Sequence, residues 1–225
     1  MTTAKPVIVF DVNETLSDMS PMGQRFSEVG APPELAELWF AALLRDGFAL
    51  TASGDNGSFA AIGADALRRL LSRVEPDRGL EAAVEHVMGG LAGLGVHPDV
   101  PAGVRSLSAA GFRLITLSNG SAQIARKLLS EAGIREEFEM LLSVEDAPAW
   151  KPARASYEYA AASTASETSA MLLVAVHPWD VHGAVRAGLR TAWVNRTGAA
   201  YPGYFEAPEF TVAALTELPA VLVAA

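Results

Sequence analysis

The chain has 225 residues, half of them apolar and 19% charged, and its 26 acidic against 17 basic side chains leave a net charge of −9. That size and composition suit one soluble globular domain, or one carrying a smaller insert, and the acidic surplus argues against a nucleic-acid backbone or an anionic membrane as the main partner. Zero cysteines exclude disulfides, thiolate metal sites and cysteine nucleophiles; no apolar run approaches the roughly 20 residues of a membrane span, and residues 1–5 lack the basic-then-apolar pattern of a signal peptide, as expected of a cytoplasmic protein.

Val7-Ile8-Val9-Phe10 is an apolar run too short for a helix and reads as a buried strand ending at Asp11. From Ser17 to about Leu94 the pattern turns helical. Pro33 opens a helix bearing Leu35, Leu38, Trp39 and Ala42, which Gly47 is expected to close. Ser58 can cap a second helix, with Phe59, Ile62, Ala66, Leu67, Leu70 and Val74 on one face, and a third carries Leu80, Val84, Val87 and Leu91. No strand pattern interrupts them. Residues 17–94 therefore read as a helical cap domain inserted after the first strand, and residues 1–16 and 95–225 as an α/β core. His97-Pro98-Asp99-Val100-Pro101 is the return crossing, with Pro101 opening the next helix. Further strands fall at residues 112–117, ending at Ser118-Asn119-Gly120; at 140–144; at 171–176, ending at His177-Pro178-Trp179-Asp180; and at 191–194. Helices at 121–132, with Gly133 as C-cap, at 153–162 and at 181–187, ending at Gly188, separate them. This alternation predicts a doubly wound parallel, Rossmann-like sheet. In such sheets ligands sit beyond the carboxyl ends of the strands, where Asp11, Ser118 and Asp180 all lie.

A carboxylate just past a buried strand is as often a turn cap as a functional group, so Asp11 alone decides nothing. The order of several residues does. Asp11-x-x-x-Thr15 follows the first strand, Ser118 the second, Lys151 precedes a helix, and Asp180 follows the fourth strand. Together they resemble the four motifs of the haloacid dehalogenase superfamily, over nearly the whole chain, with the helical insert matching that family's cap. The segments Val9-Phe10-Asp11-Val12-Asn13-Glu14-Thr15-Leu16, Thr116-Leu117-Ser118-Asn119-Gly120, Trp150-Lys151-Pro152 with Tyr157, and Trp179-Asp180-x-x-Gly183-Ala184 are similar to type II (L-2-haloacid) dehalogenases and related defluorinating enzymes.

The superfamily's phosphatases are the competing reading, and chemistry separates them. A phosphatase of this type needs a second Asp two residues after the nucleophile to protonate the leaving alkoxide. Here that position is Asn13, which cannot give up a proton at neutral pH. It also needs magnesium held partly by a carboxylate after the fourth strand, and that position is Val176. Displacing halide from carbon needs neither function. The resemblance thus implies a metal- and cofactor-independent reaction on a small 2-haloacid. Asp11 forms an aspartyl ester with expulsion of halide, and water hydrolyses it to the 2-hydroxy acid. Lys151 and Thr15 would position Asp11 and keep it charged. Ser118, with backbone N–H groups at Val12 and Asn13, would hold the substrate carboxylate, and Asp180 would orient Lys151 and help activate the water. Nucleic acid and membrane are not implied as partners; a homodimer is, since the resembling family often pairs through the cap. The alternatives are a phosphatase-type hydrolase on the same fold and a catalytically silent member that binds a small carboxylate.

The pattern departs from that family in two places. An Arg usually follows the cap-helix Trp and receives the halide; beside Trp39 stands Phe40, and Arg45 lies more than a turn away. A more apolar halide pocket of Trp39, Phe40, Trp179 and the Asn119 amide is expected instead. Ser and Asn usually precede the Trp-Asp pair and hold the water; here Ala175 and His177 stand there. A neutral His177 could take a proton from the water, or a protonated one could hydrogen-bond the halide. Tyr157 reads as core or site wall. His86, His97 and His182 read as exposed, and Glu14 receives no role. The Gly-rich pieces lack the strand context of a dinucleotide fingerprint.

Overall fold

In the computed structural model, which describes residues 5–224, six strands pair in parallel: β1 (Val7–Phe10), β2 (Leu114–Ser118), β3 (Met140–Ser143), β4 (Met171–Ala175), β5 (Arg190–Val194) and β6 (Phe210–Val212). Residues 1–4, most of the segment read for a targeting pattern, and residue 225 lie outside the described residues. The helices are α1 (Met22–Ser27), α2 (Leu35–Ser53), α3 (Phe59–Leu71), α4 (Leu80–Leu91), α5 (Val100–Ala109), α6 (Ala122–Glu131), α7 (Arg154–Ser163), α8 (Pro178–Ala187) and α9 (Leu218–Ala224). Among the described residues no helix is long and apolar enough to cross a membrane.

The strand order is β3-β2-β1-β4-β5-β6. Alternate side chains of each strand point to opposite faces, and both faces are covered. Val7, Val9, Ile115, Leu117, Leu173 and Ala175 pack against Tyr157 and Ala160 of α7 and Val181 and Ala184 of α8. Ile8, Phe10, Leu114, Leu172 and Val174 pack against Val104 and Leu107 of α5 and Leu128 and Leu129 of α6. Burial on both sides explains why the strands read as continuous apolar runs rather than alternating ones.

The chain winds from β1 outward to β2 and β3, then crosses back to β4 on the other side of β1. The order therefore reverses between β1 and β4, and a crevice opens at their carboxyl ends. Phe10 is in register with both Thr116 and Val174, so the residues after β1, β2 and β4 emerge at one edge. The Asp11 N–H donates to Val174 O at 3.0 Å.

Helices α1 to α4 lie between β1 and α5, and Ser17 pairs antiparallel with Val96 where the chain leaves and returns. Two expectations are corrected here. Helix α2 is not closed by Gly47 but continues to Ser53 and ends at Gly54, which adopts the left-handed conformation (φ 86°). A Cβ at Gly47 would overlap the ring of Trp150, so this glycine allows close packing rather than ending a helix. The face read from Ser58 onward stops at Leu71, short of Val74; the Ser58 cap itself is present, accepting from the Ala61 N–H. Helix α1 and strand β6 were not anticipated, being too short to show a period.

The insert is tied down over the sheet by polar contacts as well as apolar ones. Asn56 Nδ2 donates to Ala147 O at 3.1 Å, and Trp150 Nε1 to Gly57 O at 2.9 Å. The Trp150 backbone N–H donates to Thr51 Oγ1 at 3.1 Å.

Candidate active site

Asp11 is the first residue beyond β1 and is almost wholly buried. Its Oδ1 accepts from Lys151 Nζ at 2.9 Å. Its Oδ2 accepts from Thr15 Oγ1 at 2.6 Å and pairs with His177 Nδ1 at 3.1 Å. Thr15 reaches back because the chain folds into a tight turn after β1, with the Leu16 and Ser17 N–H groups both donating to Val12 O. The Thr15 hydroxyl also accepts from the Val176 N–H at 3.0 Å, stitching the β1 turn to the end of β4.

Lys151 is fully buried, and its Nζ lies 2.6 Å from Asp180 Oδ2 as well as 2.9 Å from Asp11. One ammonium thus bridges two carboxylates. Its backbone is clamped by Asn119, whose Oδ1 accepts from Lys151 N–H (3.1 Å) and whose Nδ2 donates to Lys151 O (3.3 Å). Asp180 sits in the first turn of α8, where the helix N-terminus favours a carboxylate. The Tyr157 hydroxyl donates to Asp180 Oδ1 at 2.6 Å and lies 3.0 Å from Asp180 O.

Removal from water and pairing compete at each charge. Burial pushes Asp11 up, but Lys151, His177 and Thr15 together outweigh it and hold Asp11 well below the usual carboxylate range. Burial raises Asp180 against the pull of Lys151, and the neighbouring Asp11 charge adds to the rise. Burial works against the Lys151 charge, yet Asp11 and Asp180 keep its affinity for the proton above that of a free lysine. The Tyr157 hydroxyl, buried beside Asp180, is pushed well up and stays a neutral donor.

His177 lies between two carboxylates. Its Nδ1 faces Asp11 Oδ2 and its Nε2 faces Glu14 Oε2 at 2.7 Å. Burial opposes its charge, but hydrogen bonds to Asp11 and Glu14 raise it to about 9. Both ring nitrogens therefore carry protons at neutral pH. Trp179 stacks on the imidazole at 5.0 Å, and Phe40 lies 6.4 Å away.

Two spaces adjoin this cluster. A small cavity of about 20 Å³ is lined by Val12, Asn13, Ser118 and Gly120 from the core and by Phe59 and Leu91 from the insert. A wide cleft of about 840 Å³ opens on the other side, bordered by Glu14, Phe40, His177 and Arg196. Ser118 Oγ accepts from the Gly120 N–H at 2.9 Å, which leaves its proton available to a ligand.

The residues expected at the site divide into those brought together and those turned elsewhere. Asp11, Thr15, Lys151, His177 and Asp180 form one connected cluster; Val12, Asn13 and Ser118 line the small cavity; Phe40 and Trp179 flank His177. Trp39 borders neither of these two spaces. It is fully buried in the insert, its Nε1 donating to Gly63 O at 2.9 Å and its ring 6.0 Å from Phe26. Adjacent helix residues point about 100° apart, so Trp39 and Phe40 face different surroundings. The Asn119 amide grips the Lys151 backbone through Oδ1 and one Nδ2 proton, which leaves the second Nδ2 proton outside that clamp, and the Tyr157 hydroxyl donates to Asp180. His177 has no N–H left over for a halide. His97, read as exposed, is half-buried, its Nε2 2.9 Å from Glu14 O.

Three site residues escaped the sequence reading: Glu14, Phe59 and Trp150. Phe59 follows the Ser58 cap and so was visible as a first-turn residue, but nothing local says that it reaches the Ser118 cavity. Trp150 is buried and stacks on Phe59 at 5.9 Å. Glu14 lies inside the motif that follows β1, yet its direction depends on an unusual backbone conformation (φ 61°).

A family model described as haloacid dehalogenase-like hydrolase matches residues 5–188. The chain is 31% identical over 211 residues to the (S)-2-haloacid dehalogenase of Pseudomonas sp. (strain YL), covering 92% of this chain and 90% of that protein. It is 37% identical over 115 residues to haloacetate dehalogenase H-2 of Moraxella sp. (strain B), a match that spans about half (51%) of each chain. A solved L-2-haloacid dehalogenase has the same fold at a TM-score of 0.90 and 26% identity, over 98% of this chain and 100% of that one.

Proposed function

This chain belongs to the haloacid dehalogenase-like hydrolases, and from that premise we propose that it hydrolyses the carbon–halogen bond of short 2-haloalkanoic acids, haloacetates among them, without a metal. The observation that carries the reading is the state of Asp11: a buried, ionised carboxylate whose charge is met by Lys151, Thr15 and His177. Oδ2 already takes two donors and Oδ1 one. Oδ1 therefore keeps a lone pair free to attack.

Oδ1 displaces halide from the halogen-bearing carbon, the halide leaving with the bonding pair, and an aspartyl ester forms. The hydroxyl of a water then adds to the Asp11 carboxyl carbon while its proton passes to Asp180, whose raised proton affinity suits a base. Collapse expels the 2-hydroxy acid oxygen, which takes that proton back, and Asp11 is regenerated with one proton released to solvent. Ser118 and the backbone N–H groups around Val12 and Asn13 hold the substrate carboxylate in the small cavity, and Phe40 and Trp179 wall the reacting carbon.

Magnesium does not fit this donor set. Asn13 stands two residues after Asp11, Val176 stands where a ligand carboxylate would be needed, and Asp11 Oδ2 is shared between Thr15 and His177. A phosphatase reading therefore lacks both its proton donor and its metal ligand.

The test is halide release, followed by ion chromatography, from fluoro-, chloro- and bromoacetate and both 2-chloropropionate enantiomers in excess EDTA. Release undiminished by EDTA is expected with at least one haloacetate, and Asp11→Asn should abolish it while leaving the circular dichroism spectrum unchanged. Magnesium-dependent hydrolysis of p-nitrophenyl phosphate with no halide release would overturn the proposal.

A further inference from the structure

We propose that His177, braced by Glu14, forms with Thr15 the oxyanion hole for hydrolysis of the Asp11 ester; the inference rests on the dehalogenase reading of the same site and assigns its second step.

In that step negative charge grows on the ester's carbonyl oxygen. If Oδ1 is the attacking atom, the carbonyl oxygen is Oδ2. Two donors already converge on Oδ2: the Thr15 hydroxyl at 2.6 Å and His177 Nδ1–H at 3.1 Å. Donors fixed in a buried site before the charge appears are the requirement for stabilising a tetrahedral intermediate. A base role for His177 is disfavoured by the same geometry. Both ring nitrogens face carboxylate oxygens, so both must donate and no ring lone pair remains to take a proton from water.

Glu14 explains how the ring is held in that state once Asp11 has lost its charge to the ester. Its Oε2 lies 2.7 Å from His177 Nε2 and still supports an imidazolium. Glu14 adopts the left-handed backbone conformation, φ 61°, which is unfavourable for a residue with a side chain. The turn is fixed by its N–H on Ser17 Oγ (3.2 Å) and by His97 Nε2 on its carbonyl (2.9 Å). Strain of this kind persists where the surrounding structure over-determines it, and such sites cluster at active centres. Trp179, stacked at 5.0 Å, sets the ring plane. His177 is thus a catalytic residue in contact with the reacting oxygen, and Glu14 a positioning residue that acts through it.

The two chemical steps respond oppositely to His177. In the first it draws charge from the attacking carboxylate; in the second it stabilises the developing oxyanion. Rapid-quench single turnover with chloroacetate in EDTA, reading halide by ion chromatography and the carboxymethyl ester by intact-protein mass, separates them. His177→Ala should keep a halide burst of one per site, accumulate the ester and lower steady-state turnover by about 10²–10³-fold. His177→Asn, which retains an amide donor and guards against misfolding, should restore part of the loss. Glu14→Gln should accumulate the ester too, an effect that a merely structural role would not produce. A slowed burst without detectable ester in His177→Ala and His177→Asn overturns the oxyanion assignment and leaves the dehalogenase reading standing. Neither ester nor halide from the unaltered protein with any haloacid overturns the underlying reading, and this inference with it.

Discussion

Lys151 shows at the level of a single residue how charge placement determines both stability and chemistry. A fully buried ammonium is tolerated because Asp11 and Asp180 lie 2.9 and 2.6 Å from it. Such a pair contributes little net stability compared with an apolar substitute of the same shape, but losing one partner leaves the others unpaired in a dry environment. Lys151→Met should therefore destabilise the protein by about 3–5 kcal/mol, read as a lower urea midpoint, and abolish halide release. An unchanged midpoint would mean that the two carboxylates are not both ionised around Lys151. The existence of this residue as a functional candidate was legible in the sequence, because a lysine just before a helix is out of place at the positive end of the helix dipole. Its partners were not, since Asp11 and Asp180 are 140 and 29 positions away. The same holds for Asn119 and Tyr157. Their polar types advertised a site, but whether they would face substrate or hold a neighbour depended on distances that no local pattern encodes.

Helix α2 carries the corresponding lesson for an element. Gly47 looked like a terminator, because glycine is the commonest residue just past a helix end. It lies mid-helix and faces Trp150, where a Cβ would overlap the ring. On helix propensity alone, Gly47→Ala should stabilise by about 1 kcal/mol. Overpacking against the buried Trp150 should reverse that sign and destabilise by roughly 1–3 kcal/mol, seen as a drop in melting temperature. Because Trp150 precedes Lys151, halide release should fall as well; a raised melting temperature would show that the ring has room to move. Gly183 plays a related part between α7 and α8, where an added Cβ would sit 2.7 Å from the Tyr157 hydroxyl and disturb the hold on Asp180. In contrast, the Ser58 cap was readable from sequence, since capping is satisfied within four residues.

Across the whole molecule, the buried charges make stability depend on pH. His177 is raised from its ordinary value to about 9 by Asp11 and Glu14. Its contribution is complete below about pH 6.5 and is lost as pH rises through 9. Asp11 is lowered, so its contribution is present above its ordinary value near 4 and is lost only in strong acid. Stability should therefore hold from about pH 5 to 6.5 and decline toward pH 10, by up to about 3 kcal/mol at 1.36 kcal/mol per pKa unit. Urea midpoints measured across that range should fall in the unaltered protein and fall less in His177→Asn; parallel declines would remove His177 as the cause. The sequence by itself determined the α/β alternation, the helical stretch after the first strand and the chemical identity of the cluster at the strand ends. Those features follow from apolar periodicity, from caps satisfied locally, and from an order of short motifs along the chain that resembles one family's. Only the tertiary structure decided that the order reverses between β1 and β4, that Phe40 faces the cleft while Trp39 turns inward, and that Glu14 reaches His177. Each of these depends on elements far apart in the chain being packed to within a few ångströms, and on one backbone turn whose angle no side-chain pattern announces.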